Sequence, residues 1–270
     1  MVALDIDGTL VDHEGVLPER LRRTVRRIAM AGVPVILTTG RSWHATRPVF
    51  EELELPPGPA VASNGAVTVQ FPPFELLNAA TFDPSEVVGK VLQEHPSAAL
   101  AAEVVGTGYR VTRAFPEGEL FGEIEVVSPE ELSGDDVSRI IVRDPDSSED
   151  EFIGLAGRLG LHGVSYSVGW SAWLDIAPAG VNKATGLAEV VSALGYTADD
   201  VLAMGDGRND IEMLRWAGRG VAVGDACAEV RDAADAVTGC FADGGTAAEL
   251  ERWFGRTLSR PVGEFRAAVG

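Results

Sequence analysis

Cysteine is nearly absent from this sequence of 270 residues, which contains only Cys227 and Cys240. Two cysteines are too few for the disulfide framework of a small secreted protein. Residues 1–5, Met-Val-Ala-Leu-Asp, reach an acidic side chain before the apolar core of a signal peptide could form. We therefore expect a protein of the reducing cytoplasm.

Long apolar runs and an excess of basic residues are also missing. No stretch of about 18 apolar residues occurs, so the sequence predicts no membrane-spanning helix and no membrane partner. Lys and Arg number 22 against 41 Asp and Glu, which gives a formal net charge of −19. Such a field repels polyphosphate backbones, so nucleic acid is not an expected partner. An anionic substrate would need a bound cation and a few local basic side chains.

The rest of the composition is that of an ordinary globular protein, with 46% apolar and 23% charged residues. The length suffices for two domains or for one large α/β domain with an insertion. Short apolar strands, predicted for example at 2–6, 33–38 and 201–204, alternate with amphipathic helices. This alternation predicts a parallel sheet covered by helices on both faces, and hence the α/β fold class.

The middle of the chain has a different pattern. Residues 81–180 combine short alternating strands, such as those predicted at 109–112 and 139–143, with helical stretches and acidic turns. We predict an inserted α+β domain over 81–180 and a discontinuous core domain formed by 1–80 and 181–270.

Four large side chains of the insertion could contact a ligand or serve the structure alone. For Arg110 and Arg143 we expect a position at the surface, because no motif connects them to chemistry. For Trp170 and Trp173 we expect packing within the insertion rather than stacking on a substrate.

Polar clusters follow the predicted core strands at their carboxyl ends, where ligands bind in open parallel sheets. The side chains of Asp5 and Asp7, two positions apart in extended geometry, face a common point and repel each other there. A bound divalent cation usually offsets such repulsion between carboxylates. Mg²⁺ suits a sparse set of oxygen ligands because it keeps several waters. The clusters are Asp5-Ile6-Asp7-Gly8-Thr9, Thr38-Thr39-Gly40-Arg41, Lys183 at a helix start, and Gly205-Asp206-Gly207-Arg208-Asn209-Asp210.

Taken in order, these motifs resemble the four motifs of the haloacid dehalogenase (HAD) superfamily of phosphohydrolases. Ser63-Asn64-Gly65-Ala66 and residues 176–183 are similar to its Cof-like branch with a type IIB cap, and the match covers nearly the whole chain. The resemblance implies a Rossmann-like parallel-sheet core with an inserted α+β cap of the C2B type. It also implies a Mg²⁺-dependent phosphatase that hydrolyses small phosphomonoesters, of the sugar phosphate or phosphoglycolate type, through an aspartyl phosphate.

The resemblance assigns roles to the motif residues. Asp5 would be the nucleophile, and Asp7 the general acid and base, which must hold a proton part of the time near pH 7. Thr39 would hydrogen-bond the phosphoryl oxygens, and Lys183 would offset the charges of the nucleophile and the phosphate. The metal ligands would be Asp5, Asp7 through its backbone carbonyl, Asp206, and Asp210 directly or through water.

Further contacts to phosphate or substrate are expected from Gly40, Arg41, Asn64 and Asn209. For Arg41 two interpretations stay open, a clamp on the substrate and a salt bridge with a core carboxylate. Asn209 would orient Asp5 or the metal shell.

Two other functions stay open at the level of sequence. A phosphomutase of the same superfamily would use the same Asp5 and Asp7 but return the phosphoryl group to its substrate. A catalytically silent regulator would bind a phospho-ligand without turning it over. In each case we expect a small phosphorylated metabolite as the partner, and a chain that is a monomer or a homodimer.

Overall fold

The computed structural model describes residues 1–159, 164–168 and 172–258, so the prediction for Trp170 lies outside the described residues. Its strands are β1 (Val2–Leu4), β2 (Val35–Leu37), β3 (Gly58–Ala62), β4 (Val67–Phe71), β5 (Glu75–Ala79), β6 (Ala99–Val104), β7 (Gly108–Val111), β8 (Glu123–Val126), β9 (Ile140–Arg143), β10 (Val164–Val168), β11 (Trp173–Pro178), β12 (Leu202–Gly205), β13 (Arg219–Ala222) and β14 (Ala236–Val237). Its helices are α1 (Glu19–Met30), α2 (Trp43–Glu52), α3 (Ser85–Glu94), α4 (Pro129–Leu132), α5 (Glu149–Leu159), α6 (Lys183–Ala193), α7 (Ile211–Trp216), α8 (Ala228–Ala233) and α9 (Gly245–Leu258). Within these ranges, no helix has the length and apolar character needed to cross a membrane.

A five-stranded parallel sheet in the order β14-β13-β12-β1-β2 forms the core. β1 lies inside this sheet and pairs in parallel with β12 on one side and with β2 on the other. Val2 and Leu4 pack on the face covered by α1, α2 and α9, whereas Ala3 packs on the face covered by α6, α7 and α8. Both faces of the sheet are therefore buried, as the alternation of strands and helices predicted.

An antiparallel sheet of β3, β4 and β5 extends the edge of the core next to β2. Thr38, which follows β2, forms a parallel bridge with Val61 of β3. The hairpin of β4 and β5 was not predicted from sequence. β5 is exposed along most of its length, so it lacks the apolar alternation by which a half-buried strand is recognised.

A separate six-stranded sheet in the order β10-β11-β9-β6-β7-β8 lies within the predicted insertion. It is antiparallel except for the pairing of β7 with β8. Ile140 and Val142 pack toward α3 and α5, while Ile141 packs on the opposite face with Tyr109. The α/β fold with an additional antiparallel sheet is therefore confirmed, and the domain boundaries at 80/81 and 180/181 remain a prediction.

The two arginines of this sheet differ in their burial. Arg110 is 39% exposed and pairs with Asp135, in agreement with the predicted surface position. Arg143 is only 9% exposed and pairs with Glu119 at 2.8 Å, so the surface prediction is wrong for this residue. β9 lies between β11 and β6, and side chains on an inner strand are covered by their neighbours.

A pair of Gly→Ala exchanges tests how closely α7 packs on β13. A Cβ at Gly220 would overlap the backbone carbonyl of Leu214, so Gly220→Ala should lower the free energy of unfolding by about 1–3 kcal/mol. A Cβ at Gly89 in α3 meets nothing within 4 Å. Gly89→Ala should therefore raise the free energy of unfolding by about 0.5–1 kcal/mol through helix propensity. Urea unfolding measures both values, and effects of the same sign would contradict this packing.

Candidate active site

The predicted motifs meet at the carboxyl end of the parallel sheet. Asp5 follows β1, Thr39 lies two residues after β2, and Asp206 follows β12. These three strands are neighbours that run in the same direction, so the loops after them share one edge. Lys183 reaches this edge as the first residue of α6, whose N-cap, Asn182, accepts a hydrogen bond from the backbone N–H of Thr185.

Lys183 joins two carboxylates in the interior of the site. Its Nζ donates hydrogen bonds to Oδ1 of Asp5 and Oδ1 of Asp210, each at 2.6 Å. The side chains of Lys183 and Asp210 are fully buried. Burial alone would lower the pKa of Lys183, but attraction by Asp210 and Asp5 outweighs it and raises that pKa above its ordinary value. Lys183 is therefore a fixed positive charge.

Three carboxylates surround one point beside this lysine. Asp5, Asp206 and Asp210 each offer an oxygen within 4.8 Å of the others. Burial, followed by repulsion from Asp210, raises the pKa of Asp5 well above its ordinary value and that of Asp206 to about 7. Crowded oxygen ligands that are removed from water favour a hard divalent cation. The chemistry of this donor set therefore fits Mg²⁺.

Asp210 holds the loop that presents Asp206. Its Oδ2 accepts hydrogen bonds from the backbone N–H groups of Asp206 at 3.0 Å and Gly207 at 2.9 Å. With its Oδ1 bound to Lys183, both oxygens of Asp210 are engaged. A Cβ at Gly8, which has a φ of +73°, would overlap the carboxyl group of Asp206, so glycine is needed there for the approach of the two loops.

Asp7 is not among the carboxylates that meet. Its side chain is 52% exposed, and its two oxygens accept hydrogen bonds from Arg41, at 2.9 Å from Nε and 2.6 Å from Nη2. β1 ends at Leu4, and Asp7 pairs with Val11 in an isolated bridge. Besides burial, the charge of Asp7 contributes to the raised pKa of Asp5, so the two side chains lie near each other. Of the two interpretations of Arg41, the structure shows the salt bridge with a core carboxylate.

The other predicted contact residues lie together beside Asp5. Thr39 is fully buried, and its hydroxyl accepts a hydrogen bond from the backbone N–H of Arg41 at 3.1 Å. Asn209 donates from Nδ2 to Oδ1 of Asn64 at 2.9 Å. A Cβ at Gly40 would contact both of these amide groups. Loops that are distant in sequence thus form one polar surface.

A buried ion-pair network faces these loops from the six-stranded sheet. Arg139, which precedes β9, pairs through Nε with Glu103 of β6 at 3.1 Å and through Nη1 with Asp175 of β11 at 3.2 Å. Its Nη1 also donates to the carbonyl of Gly40, and its Nη2 donates to the hydroxyl of Tyr109 at 2.7 Å. Burial would lower the pKa of Arg139, but Tyr109 and the two carboxylates raise it above its ordinary value.

The core loops contribute to the same network. Ser63 donates to Glu103 at 2.6 Å, and Asn64 donates to Asp175 at 3.2 Å. The predictions from sequence did not include this network, although a signal for it exists. Glu103 and Asp175 each interrupt an otherwise apolar strand, and a charge that is buried in this way needs a partner. The sequence does not show which partner it is.

A cavity of about 740 Å³ lies between the six-stranded sheet and the core loops. Asp5 and Asp206 line it from the core, while Tyr109 and Trp173 line it from the opposite sheet. Trp173 packs edge-on against Phe115, with ring centroids 6.3 Å apart, and also lines the cavity, so its packing role remains a prediction. A cavity of this size accommodates a small metabolite.

Comparison with known proteins identifies the family. The family model for haloacid dehalogenase-like hydrolases matches residues 2–250. The chain belongs to this family. It is 31% identical to a phosphoglycolate phosphatase of Natronomonas pharaonis, over 90% of this chain and 93% of that protein. It is 27% identical to the 5-amino-6-(5-phospho-D-ribitylamino)uracil phosphatase YcsE of Bacillus subtilis, over 94% of this chain and 95% of that protein.

Among solved structures, the HAD subclass IIB sugar phosphatase BT4131 has the same fold. Its TM-score is 0.79 at 23% sequence identity, over 94% of this chain and 98% of that one. The family resemblance drawn from the motifs is therefore confirmed, and so is the enzyme class, a phosphoric monoester hydrolase. The substrates named for the two relatives differ, so membership of the HAD family does not fix the substrate.

Replacement of Arg139 tests the buried network. Arg139→Met leaves Glu103 and Asp175 buried without their counter-charge, which should lower the free energy of unfolding by about 3–5 kcal/mol. Arg110→Met is the matched control, because Arg110 forms exposed ion pairs and its loss should cost less than about 1 kcal/mol. Urea unfolding compares the two variants. Equal losses would show that the buried network contributes no more than a surface pair.

Proposed function

We propose that the protein is a Mg²⁺-dependent phosphatase that hydrolyses small phosphomonoesters through an aspartyl phosphate on Asp5. The proposal rests on one observation, the buried contact of Lys183 with Asp5 and Asp210, next to Asp206 and beside the cavity. Phosphoryl transfer requires a positioned nucleophile and positive charge around the transferring oxygens. This arrangement supplies a fixed carboxylate and a fixed ammonium group at one point.

Asp5 is the nucleophile in this proposal. The Lys183 ammonium holds its Oδ1, so Oδ2 is the oxygen that attacks phosphorus while the bond to the leaving oxygen breaks. Water then hydrolyses the aspartyl phosphate, which restores the carboxylate and releases inorganic phosphate. Lys183 and the Thr39 hydroxyl stabilise the charge that develops on the phosphoryl oxygens. Because the second step restores the carboxylate, Asp5 can act again in the next cycle.

Asp7 transfers the proton in this scheme. Its carboxylate is bound to Arg41, so the guanidinium must release it and the carboxylate must take up a proton from water before Asp7 can donate that proton to the leaving oxygen. Asp7 later accepts a proton from the water that attacks the aspartyl phosphate. Arg41, once released, can bind the phosphoryl group of the substrate. The two interpretations of Arg41 then describe two stages of one cycle.

The metal would be held by the carboxylates of Asp5 and Asp206 and by the backbone carbonyl of Asp7. Asp210 would act through water or through the loop it fixes, since both of its oxygens are engaged. When bound, Mg²⁺ supplies positive charge for the phosphoryl oxygens. We also propose residues 81–180 as the cap, whose sheet excludes water from the cavity. Asn64 and Asn209 hold each other beside this site.

Removal of the carboxylate of Asp5 tests the nucleophile. Asp5→Asn should reduce the release of phosphate from p-nitrophenyl phosphate by at least about a thousandfold, because an amide is a poor nucleophile. The fold should persist, since the exchange removes one of several crowded buried charges. Asp232→Asn, on the exposed surface of α8, is the control and should keep full activity. Residual activity of Asp5→Asn within about tenfold of the wild type would exclude this nucleophile.

Product analysis with a sugar phosphate separates the remaining alternatives. Inorganic phosphate indicates a phosphatase, whereas an isomeric sugar phosphate with little free phosphate indicates a mutase. Binding without turnover indicates a regulator.

The raised pKa of Asp206 predicts how metal and pH act together. Without metal, the folded state binds more protons than the unfolded state between the ordinary pKa of 3.8 and about 7, so stability should fall as pH rises through this interval. Mg²⁺ binds the ionised carboxylates, so it should stabilise the protein more at about pH 8 than at about pH 5. Thermal unfolding with and without MgCl₂ measures both effects. Equal stabilisation at the two pH values would contradict the proposed metal site.

A further inference from the structure

We infer that the leaving-group side of the cavity selects phosphomonoesters whose leaving group carries no negative charge, and that Glu119 is a specificity-determining residue. The inference rests on the proposed function, since it concerns the part of the substrate that remains after phosphoryl transfer. Selection by charge would distinguish between leaving groups, whereas membership of the HAD family does not identify the leaving group.

The lining of the cavity carries more negative than positive charge. Its carboxylates are Asp5, Asp7, Glu14, Glu119, Asp175 and Asp206. Its arginines are Arg41, Arg139 and Arg208. Lys183 and a divalent cation at the acidic cluster would act on the phosphoryl group. They would not offset the lining carboxylates outside this cluster, such as Glu119.

Each lining arginine already has a carboxylate partner. Arg41 binds both oxygens of Asp7, and Arg208 pairs with Glu229 at 3.3 Å. Arg139 lies between Glu103 and Asp175, both of which would lose their counter-charge if it turned to a ligand. An anionic leaving group would therefore have to displace an existing partner and would meet unpaired carboxylates.

Glu119 lines the cavity from the loop between β7 and β8 and is held by Arg143 of β9. Both of its oxygens accept hydrogen bonds from Arg143, at 2.9 Å from Nε and 2.8 Å from Nη2. Arg143 is 9% exposed, so this pair has little room to turn away when a ligand enters. Glu119 lines the cavity and Arg143 does not, so this ion pair turns its carboxylate rather than its guanidinium toward the leaving group.

Neutral groups are available on the same side. The hydroxyl of Ser42 is buried beside that of Tyr109, and the two hydroxyls interact. Burial raises the pKa of Tyr109 to about 12, so its hydroxyl stays neutral. The Tyr109 oxygen accepts a hydrogen bond from Nη2 of Arg139. Trp173 adds an apolar ring surface. These groups suit an uncharged leaving group that bears hydroxyls.

Two esters that differ at one carbon, and there in charge, test the inference. Phosphoglycolate carries a carboxylate where 2-hydroxyethyl phosphate carries a CH₂OH group. With wild-type protein and Mg²⁺, kcat/KM should be at least about tenfold higher for 2-hydroxyethyl phosphate, a difference of about 1.4 kcal/mol. Equal values, or a preference for phosphoglycolate, would overturn the inference. If neither p-nitrophenyl phosphate nor these esters is hydrolysed, the proposed function fails, and calorimetric affinities of the same two esters still decide the charge preference.

A matched pair of variants tests Glu119 itself. Glu119→Gln removes the fixed charge and should lower the ratio between the two esters by about threefold or more, chiefly through a lower KM for phosphoglycolate. Glu117→Gln removes a carboxylate from the same loop, but Glu117 is exposed and does not line the cavity, so the ratio should not change. Thermal unfolding checks that both variants are folded. An unchanged ratio in Glu119→Gln, or the same change in both variants, would refute the role of Glu119.

Discussion

The contact of the buried Lys183 ammonium group with Asp5 and Asp210 is the interaction on which the rest of the site depends. Three carboxylates could not share this volume without a counter-charge, because their repulsion is little screened away from water. One lysine offsets only one of them, and the charge that remains is what makes the cluster suited to a divalent cation. The start of α6 must also lie close to the core for Lys183 to reach it. Gly65 permits this, because a Cβ there would overlap the carbonyl of Asn182.

The same arrangement recurs where the six-stranded sheet meets the core, with Arg139 between Glu103 and Asp175. The two centres differ in the geometry of the cation. The compact ammonium of Lys183 gathers oxygens around one point, where a metal can also bind. The planar guanidinium of Arg139 directs its donors to separate acceptors and so connects several strands and the loop at Gly40. One centre is suited to chemistry and the other to closing the wall of the cavity.

Features that are determined by residues close together in sequence could be predicted, whereas features that depend on contacts between distant parts of the chain could not. The core strands and the positions of Asp5, Thr39, Lys183 and Asp206 were predictable, because each motif stands at the end of a local pattern and parallel strands bring such ends together. The contact of Asp7 with Arg41 was not, since it depends on how the loops after β1 and β2 lie relative to each other. The burial of Arg143 and the network around Arg139 depend on the order of β11, β9 and β6, and no local pattern contains that order.

The net negative charge of this chain repels an anionic phosphate ester. The arginines that line the cavity do not offset this repulsion, because they are already paired with carboxylates. Entry of an anion then depends on exchange, in which a phosphoryl group replaces a carboxylate beside a cation. The ion pairs of the core loops and those of the six-stranded sheet differ in the cost of this exchange. At Asp7 the salt bridge with Arg41 is half-exposed, and water can solvate the carboxylate that is released. At Arg139 the displaced carboxylates are buried, so the exchange is far more costly. Burial of its ion pairs, rather than the number of arginines, therefore determines where this cavity can accept negative charge.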